Sequence, residues 1–225
     1  MFYLDPGYMV LLLVTGALSI WASVRVKTTF ARYQKVRNRG GLTGAEVARA
    51  ILARSGVRDV RVERVAGFLS DHYDPREKVL RLSPDVYGGT SVAAVGVAAH
   101  EVGHAIQHAR GYWPLQVRSY LAPAASFGSN LGLIIAMMGF AFHATGLVTL
   151  GIIAFAAMVA FTLVTLPVEL DASARAKALL PELGFVSAEE ARGVRSVLGA
   201  AAMTYVAAAV SSVLTLLYFV MRARE

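Results

Sequence analysis

Four long apolar blocks constrain this chain more than any other feature of its sequence. They cover about residues 8–24, 122–142, 147–166 and 198–221. Hydrocarbon leaves no water for bare peptide groups, so a segment lodged there must bond its own backbone. Blocks of this length, without strict alternation, predict transmembrane helices. Composition agrees: 56 % of residues are hydrophobic, against about 45–50 % apolar in soluble domains. The first block also resembles a secretory signal. Its basic residues follow the apolar run instead of preceding it, and no small-x-small cleavage site closes it, so an anchor is expected.

The basic residues predict an orientation. Of 22 Lys and Arg, 16 lie from Arg25 to Arg118, and four more (Arg175, Lys177, Arg192, Arg195) lie between the third and fourth blocks. The tight turn at 143–146 has none. The positive-inside rule then places 25–118 and 169–197 in the cytoplasm and the N-terminus outside, in a multi-pass protein of the cell membrane. Arg222 and Arg224 are the misfit, since four complete crossings put them outside. The net charge of +7 does not argue for nucleic acid, because the basic residues follow no binding motif. With no Cys in the chain, disulfides and thiolate ligands are excluded, and any metal must use His and carboxylate.

Between the first two blocks the sequence reads as a small folded region. Thr43-Gly44-Ala45-Glu46 is a capping box, flanked by Leu42 and Val47 as a hydrophobic staple, and its helix should stop at Gly56. Val60 and Val62 alternate with charged residues, as do Leu80 and Leu82 around Arg81. These predict a small antiparallel hairpin or sheet, with Asp71 to Arg76 as turn. A peptide could add as a strand to the 79–82 edge.

The next stretch, 91–109, reads as one helix and contains His100-Glu101-Val102-Gly103-His104. Residues four apart lie one above the other on a helix. Two imidazoles so placed can share one Zn²⁺, and Glu101 can reach its water. The helix is apolar nearly all round, so its polar groups need partners, and a metal would satisfy them. Thr90 or Ser91 should cap it.

Catalytic zinc needs a third protein ligand. His108 lies about 12 Å of helix rise from His100, too far to share one ion. His143 falls in the expected outer turn. Glu169 is the better candidate: a carboxylate at the edge of a span is costly unless coordinated, paired or solvated, and the charge count puts it on the side of the His pair. Asp171 is a candidate acceptor for a ligand imidazole N–H.

The segments 91–107 (S-V-A-A-V-G-V-A-A-H-E-V-G-H-A-I-Q), 167–176 (P-V-E-L-D-A-S-A-R-A) and 71–84 resemble the YugP-type neutral zinc metallopeptidases of bacteria. The resemblance covers nearly the whole chain. It implies a membrane-embedded, gluzincin-like peptidase with a zincin-like α+β part, His100, His104 and Glu169 as zinc ligands, and Glu101 as acid/base. More distantly, the chain is similar to the HtpX and CAAX-prenyl membrane peptidases. Those carry an Asp four residues after the ligand Glu, where this chain has Ser173, its acid being Asp171.

The expected organisation is one functional unit: an anchor (1–24), a cytoplasmic catalytic region (25–118), a transmembrane hairpin (119–168), a cytoplasmic segment bearing the third ligand (169–197) and a C-terminal transmembrane helix (198–225). The expected activity is peptide-bond hydrolysis with one Zn²⁺ per chain. Peptide or protein substrates and the lipid bilayer are the partners. His72, Tyr73 and Arg175 are candidate stabilisers of the tetrahedral intermediate. The alternatives are a zinc hydrolase acting on a non-peptide bond and a zinc-stapled membrane scaffold without catalysis.

Overall fold

A computed structural model describes residues 5–224. Its elements in chain order are α1 (Pro6–Gln34), α2 (Gly44–Arg54), strands β1 (Arg61–Arg64), β2 (His72–Asp74) and β3 (Val79–Leu82), the single turn α3 (Pro84–Tyr87), α4 (Val92–Ala109), α5 (Trp113–Phe127), a π-helical turn (Gly128–Gly132), α6 (Leu133–Ala141), α7 (Thr145–Glu182) and α8 (Ala188–Arg222). The protein is therefore mainly helical with one small sheet. Two units emerge from its internal contacts: one comprises Val24–Tyr112 and Val168–Met203, the other the residues up to Ser23, Trp113–Pro167 and those from Thr204 onward. Helices α1, α7 and α8 each contribute residues to both.

Among the described residues three helices, α1, α7 and α8, are long and apolar enough to cross a membrane. α7 has 38 residues, about 57 Å of helix and nearly twice a bilayer's hydrocarbon thickness. The expected second span, 122–142, is instead assembled from the end of α5, the π turn and α6. Pro123 interrupts the bonding of α5. Within this unit small residues let backbones approach. A Cβ on Gly128 would sit 2.2 Å from the Ala154 carbonyl oxygen, and one on Gly132 2.9 Å from the Phe155 nitrogen. Gly139 meets Val148 and Gly151 meets Ala136 in the same way. Gly128 and Gly132 thus act as packing residues, as small-xxx-small positions do in membranes. At the far end of the chain, Tyr218 donates to Asp5, and Arg222 Nε lies 4.0 Å from the same carboxylate. The end of α8 therefore lies beside the start of α1.

The other unit is built around α4. Thr43 and Glu46 form the capping box of α2: Thr43 Oγ1 accepts from the Glu46 N–H (3.2 Å) and Glu46 Oε2 from the Thr43 N–H (2.7 Å). Gly56, at φ +76°, follows the helix end in the left-handed conformation only glycine adopts cheaply. α2 buries Val47, Ala48, Ile51 and Leu52 in a core shared with Val92, Val95, Ala98, Val102 and Ile106 of α4 and with Leu180 and Val194.

The sheet departs from the expected antiparallel hairpin. Its order is β1-β3-β2, with β1 parallel and β2 antiparallel to β3. His72-Tyr73-Asp74, expected as turn, is a strand, because its backbone pairs with Val79–Arg81 across the turn at 75–78. β3 is consequently central and saturated on both sides. The 79–82 edge proposed to receive a peptide strand does not exist, and the free edges belong to β1 and β2.

Candidate metal centre

α4 holds the central side chains. Ser91 caps it, its hydroxyl oxygen accepting from the Ala94 N–H at 3.1 Å, while the Val92 N–H donates to the Val36 carbonyl at 2.8 Å. Both bonds satisfy N–H groups that a helix start leaves orphaned. Fifteen of its residues are buried, including His100, Glu101, His104 and Gln107. Glycines bring neighbours close. Gly96 lies against Val194 of α8, and a Cβ on Gly103 would stand 2.7 Å from the carbonyl oxygen of Ala172 on α7.

That close approach sets α7 against the His pair. His100 Nε2 is 3.1 Å and His104 Nε2 3.5 Å from Glu169 Oε2. One ligand atom from each of the three residues lies within 4.8 Å of the others, and all three residues are buried. The imidazole rings stand edge to face, 4.8 Å between centroids. Each ring's other nitrogen is occupied: His100 Nδ1 by Ser173 Oγ at 3.1 Å, His104 Nδ1 by Gln107 Oε1 at 3.0 Å. Both Nε2 atoms and the carboxylate therefore converge on one point. Two imidazole nitrogens and one carboxylate form a donor set of catalytic zinc, so the residues present fit such an ion.

Electrostatics point the same way. Burial alone would raise the Glu169 carboxyl, but hydrogen bonds from His100 and His104 outweigh it and hold the group well below the usual carboxylate range. Burial likewise opposes charge on His104, and the Glu169 hydrogen bond more than offsets it, so its pKa is raised. A proton on His104 and a divalent cation are thus alternative positive partners for the buried Glu169 carboxylate.

Glu101 is 8 % exposed and forms no hydrogen bond among the described residues, leaving its oxygens available. Its charge acts on Asp71, whose carboxyl is raised first by burial, then by Glu101, against bonds from the Ser83 N–H (2.7 Å) and hydroxyl.

The remaining expected site residues are engaged elsewhere. Asp171 bonds neither imidazole; it accepts from Gln107 Nε2 at 2.7 Å and pairs with Arg175 Nε at 2.6 Å. Burial works against its charge, but those partners hold its pKa low. The Tyr73 hydroxyl, pushed up to about 12 chiefly by burial, bonds His108 Nδ1 at 2.8 Å. His72 Nδ1 contacts the Ser70 carbonyl at 2.8 Å. His143 sits in the α6–α7 turn at φ +52°, outside the cluster. The sequence reading missed Gln107 and named Ser173 only as the residue standing where related peptidases carry an Asp. A glutamine in a helix apolar all round, and a hydroxyl one helical turn after Glu169, were the available signals.

Comparison with known proteins agrees with this geometry. The family described as putative neutral zinc metallopeptidase matches residues 8–224. A protein of Bacillus subtilis (strain 168) described as a putative membrane protease, YugP, is 49 % identical over 204 residues, covering 91 % of each chain. No solved structure matches the chain.

Proposed function

The chain belongs to the neutral zinc metallopeptidase family, and from that premise we propose that it is a membrane-bound endopeptidase whose single zinc is held by His100, His104 and Glu169. The observation carrying this reading is the convergence of two Nε2 atoms from α4 and one carboxylate from α7 in a buried position. Zinc bound there supplies a Lewis acid for the scissile carbonyl and lowers the pKa of water toward about 7.

The chain's own residues supply the rest. Glu101, one residue from His100 and without a hydrogen bond among the described residues, takes a proton from water as the water oxygen bonds to the carbonyl carbon. It returns that proton to the amine nitrogen as the C–N bond breaks. Ser173 and Gln107 hold the outer nitrogens of the imidazoles, so both rings present Nε2. Of the two free sheet edges, β2 is tied to α4 through Tyr73 and His108, which supports β2 as the edge that receives an extended peptide.

We read the membrane part as four crossings, counting α5, the π turn and α6 as one, with both termini outside and the catalytic region cytoplasmic. The Asp5 contacts with Tyr218 and Arg222 support this, because α8 then ends on the side where α1 begins. The misfit of Arg222 is partly relieved by its pairing with Asp5.

The test is Glu101→Gln in the full chain. We expect it to retain one equivalent of zinc and lose about 10²-fold or more of peptide cleavage, the low end of a general base's contribution. Undiminished cleavage would remove Glu101 from the mechanism. Unfolding on metal removal together with full indifference to Glu101→Gln would instead identify a structural staple.

A further inference from the structure

The geometry points to Gln107 as a positioning residue of the metal centre: it keeps the His104 ring proton on Nδ1 and so leaves Nε2 for the ion. This rests on the zinc reading above.

Gln107 is fully buried, 0 % exposed, one turn beyond His104 on α4. Its amide has two N–H donors and one carbonyl oxygen. Nε2 donates to the Val168 carbonyl at 2.8 Å and to Asp171 Oδ2 at 2.7 Å. Both donors are thereby used, and Oε1 is the atom facing His104 Nδ1 at 3.0 Å. Turning the amide over would press its oxygen against two acceptors, the Val168 carbonyl and the Asp171 carboxylate. Its orientation is therefore dictated by its partners and not by the density of contacts around it. Arg175 fixes Asp171 in turn, through Nε at 2.6 Å and Nη2 at 3.3 Å.

An amide oxygen can only accept. The His104 nitrogen facing it must carry the proton, and the other nitrogen keeps its lone pair for a cation. His100 differs, because the Ser173 hydroxyl against its Nδ1 can donate or accept and imposes no such choice. The series Arg175–Asp171–Gln107–His104 thus transmits a fixed polarity from a half-buried guanidinium to one ligand ring. Asp171 acts on that ring through Gln107.

The test uses the full chain, purified in detergent and loaded with zinc. Two quantities are measured in wild type and Gln107→Met, a change that keeps bulk and removes both polarities. The first is zinc affinity, by competition with a chelator; the second is exchange protection of the imidazole N–H signals. We expect a protected His104 N–H in wild type. In Gln107→Met we expect that protection to vanish, the His100 signal to persist, and zinc to bind about 10–100-fold more weakly. An exposed His104 N–H in wild type overturns the assignment, and this measurement needs no variant. Unchanged affinity and N–H protection in Gln107→Met overturn it equally. A wild type that takes up no zinc removes the metal reading itself, and the assignment with it.

Discussion

Gly103 offers the sharpest test of how the centre is assembled. It lies between the two histidines of α4, where a Cβ would meet the Ala172 carbonyl oxygen at 2.7 Å and its Cα at 3.0 Å. Ordinary contact begins near 3.4 Å. Gly103→Ala therefore asks α4 and α7 to part by about 0.7 Å, with backbone on the far side that cannot rotate away. His100 and His104 move with one helix, Glu169 and Ser173 with the other. Functional constellations tolerate about 0.5 Å, and 1 Å of misplacement can cost about 10²-fold in rate. We expect zinc affinity and peptide kcat/KM to fall by about 10- to 100-fold each. Overpacking destabilises by about 1–3 kcal/mol, partly offset by the about 1 kcal/mol that Ala gains over Gly in a helix. Gly199→Ala is the control, since nothing lies within 4 Å of its added methyl; it should keep full activity and melt no lower than wild type. The assay pairs chelator competition with cleavage of a quenched peptide, and melts the metal-free proteins to separate folding from site geometry. Wild-type affinity and cleavage in Gly103→Ala would refute the claim that this helix contact sets the ligand spacing.

Other outcomes follow from single contacts. Tyr73→Phe removes only the hydroxyl bound to His108; it should cost about 1 kcal/mol in a melt and leave kcat within a few fold, whereas a large kcat loss would return Tyr73 to the chemistry. Asp71 has a raised pKa in the folded chain. Its stabilising contribution is therefore full below the unfolded pKa and lost as pH rises through the folded one. Asp71→Asn should gain stability relative to wild type as pH increases over that window, and a gap constant with pH in denaturant titrations would contradict this. The chain has no Cys, so single cysteines can be labelled without background. Four crossings predict that His143→Cys and Arg224→Cys react with an impermeant maleimide from outside intact cells and Ser187→Cys does not. Labelling of Arg224→Cys only after lysis would end that topology.

Local signals carried much of the architecture. The helix at 91–109 was legible from its apolar run and cap, and α4 begins at Val92 and ends at Ala109. The capping box of α2 was legible because both halves of the device lie within four residues. His100, Glu101 and His104 were marked by helical spacing, and Glu169 by its cost at the end of a span. What stayed hidden depends on pairing between distant segments. Nothing local distinguishes β1 running parallel to β3 from a hairpin. β2 looked like a turn because Asp74, Pro75 and Arg76 are turn residues, yet tertiary pairing extends the strand through Asp74. The third apolar block ends near residue 166, but α7 continues through Pro167 to Glu182, so Glu169 and Ser173 share one face a turn apart. Asp171 was expected to accept from an imidazole N–H; its carboxylate instead meets Gln107, whose oxygen faces His104.

The donors that meet at Glu169 begin 69 residues upstream of it, with the whole α5–α6 hairpin leg synthesised in between. During translation the ribosome releases His100, Glu101 and His104 before Glu169 arrives. A half-made chain consequently carries the histidine pair without its carboxylate. The cluster is completed only once the returning helix has been laid down, so the order of synthesis sets the order in which its two halves can meet.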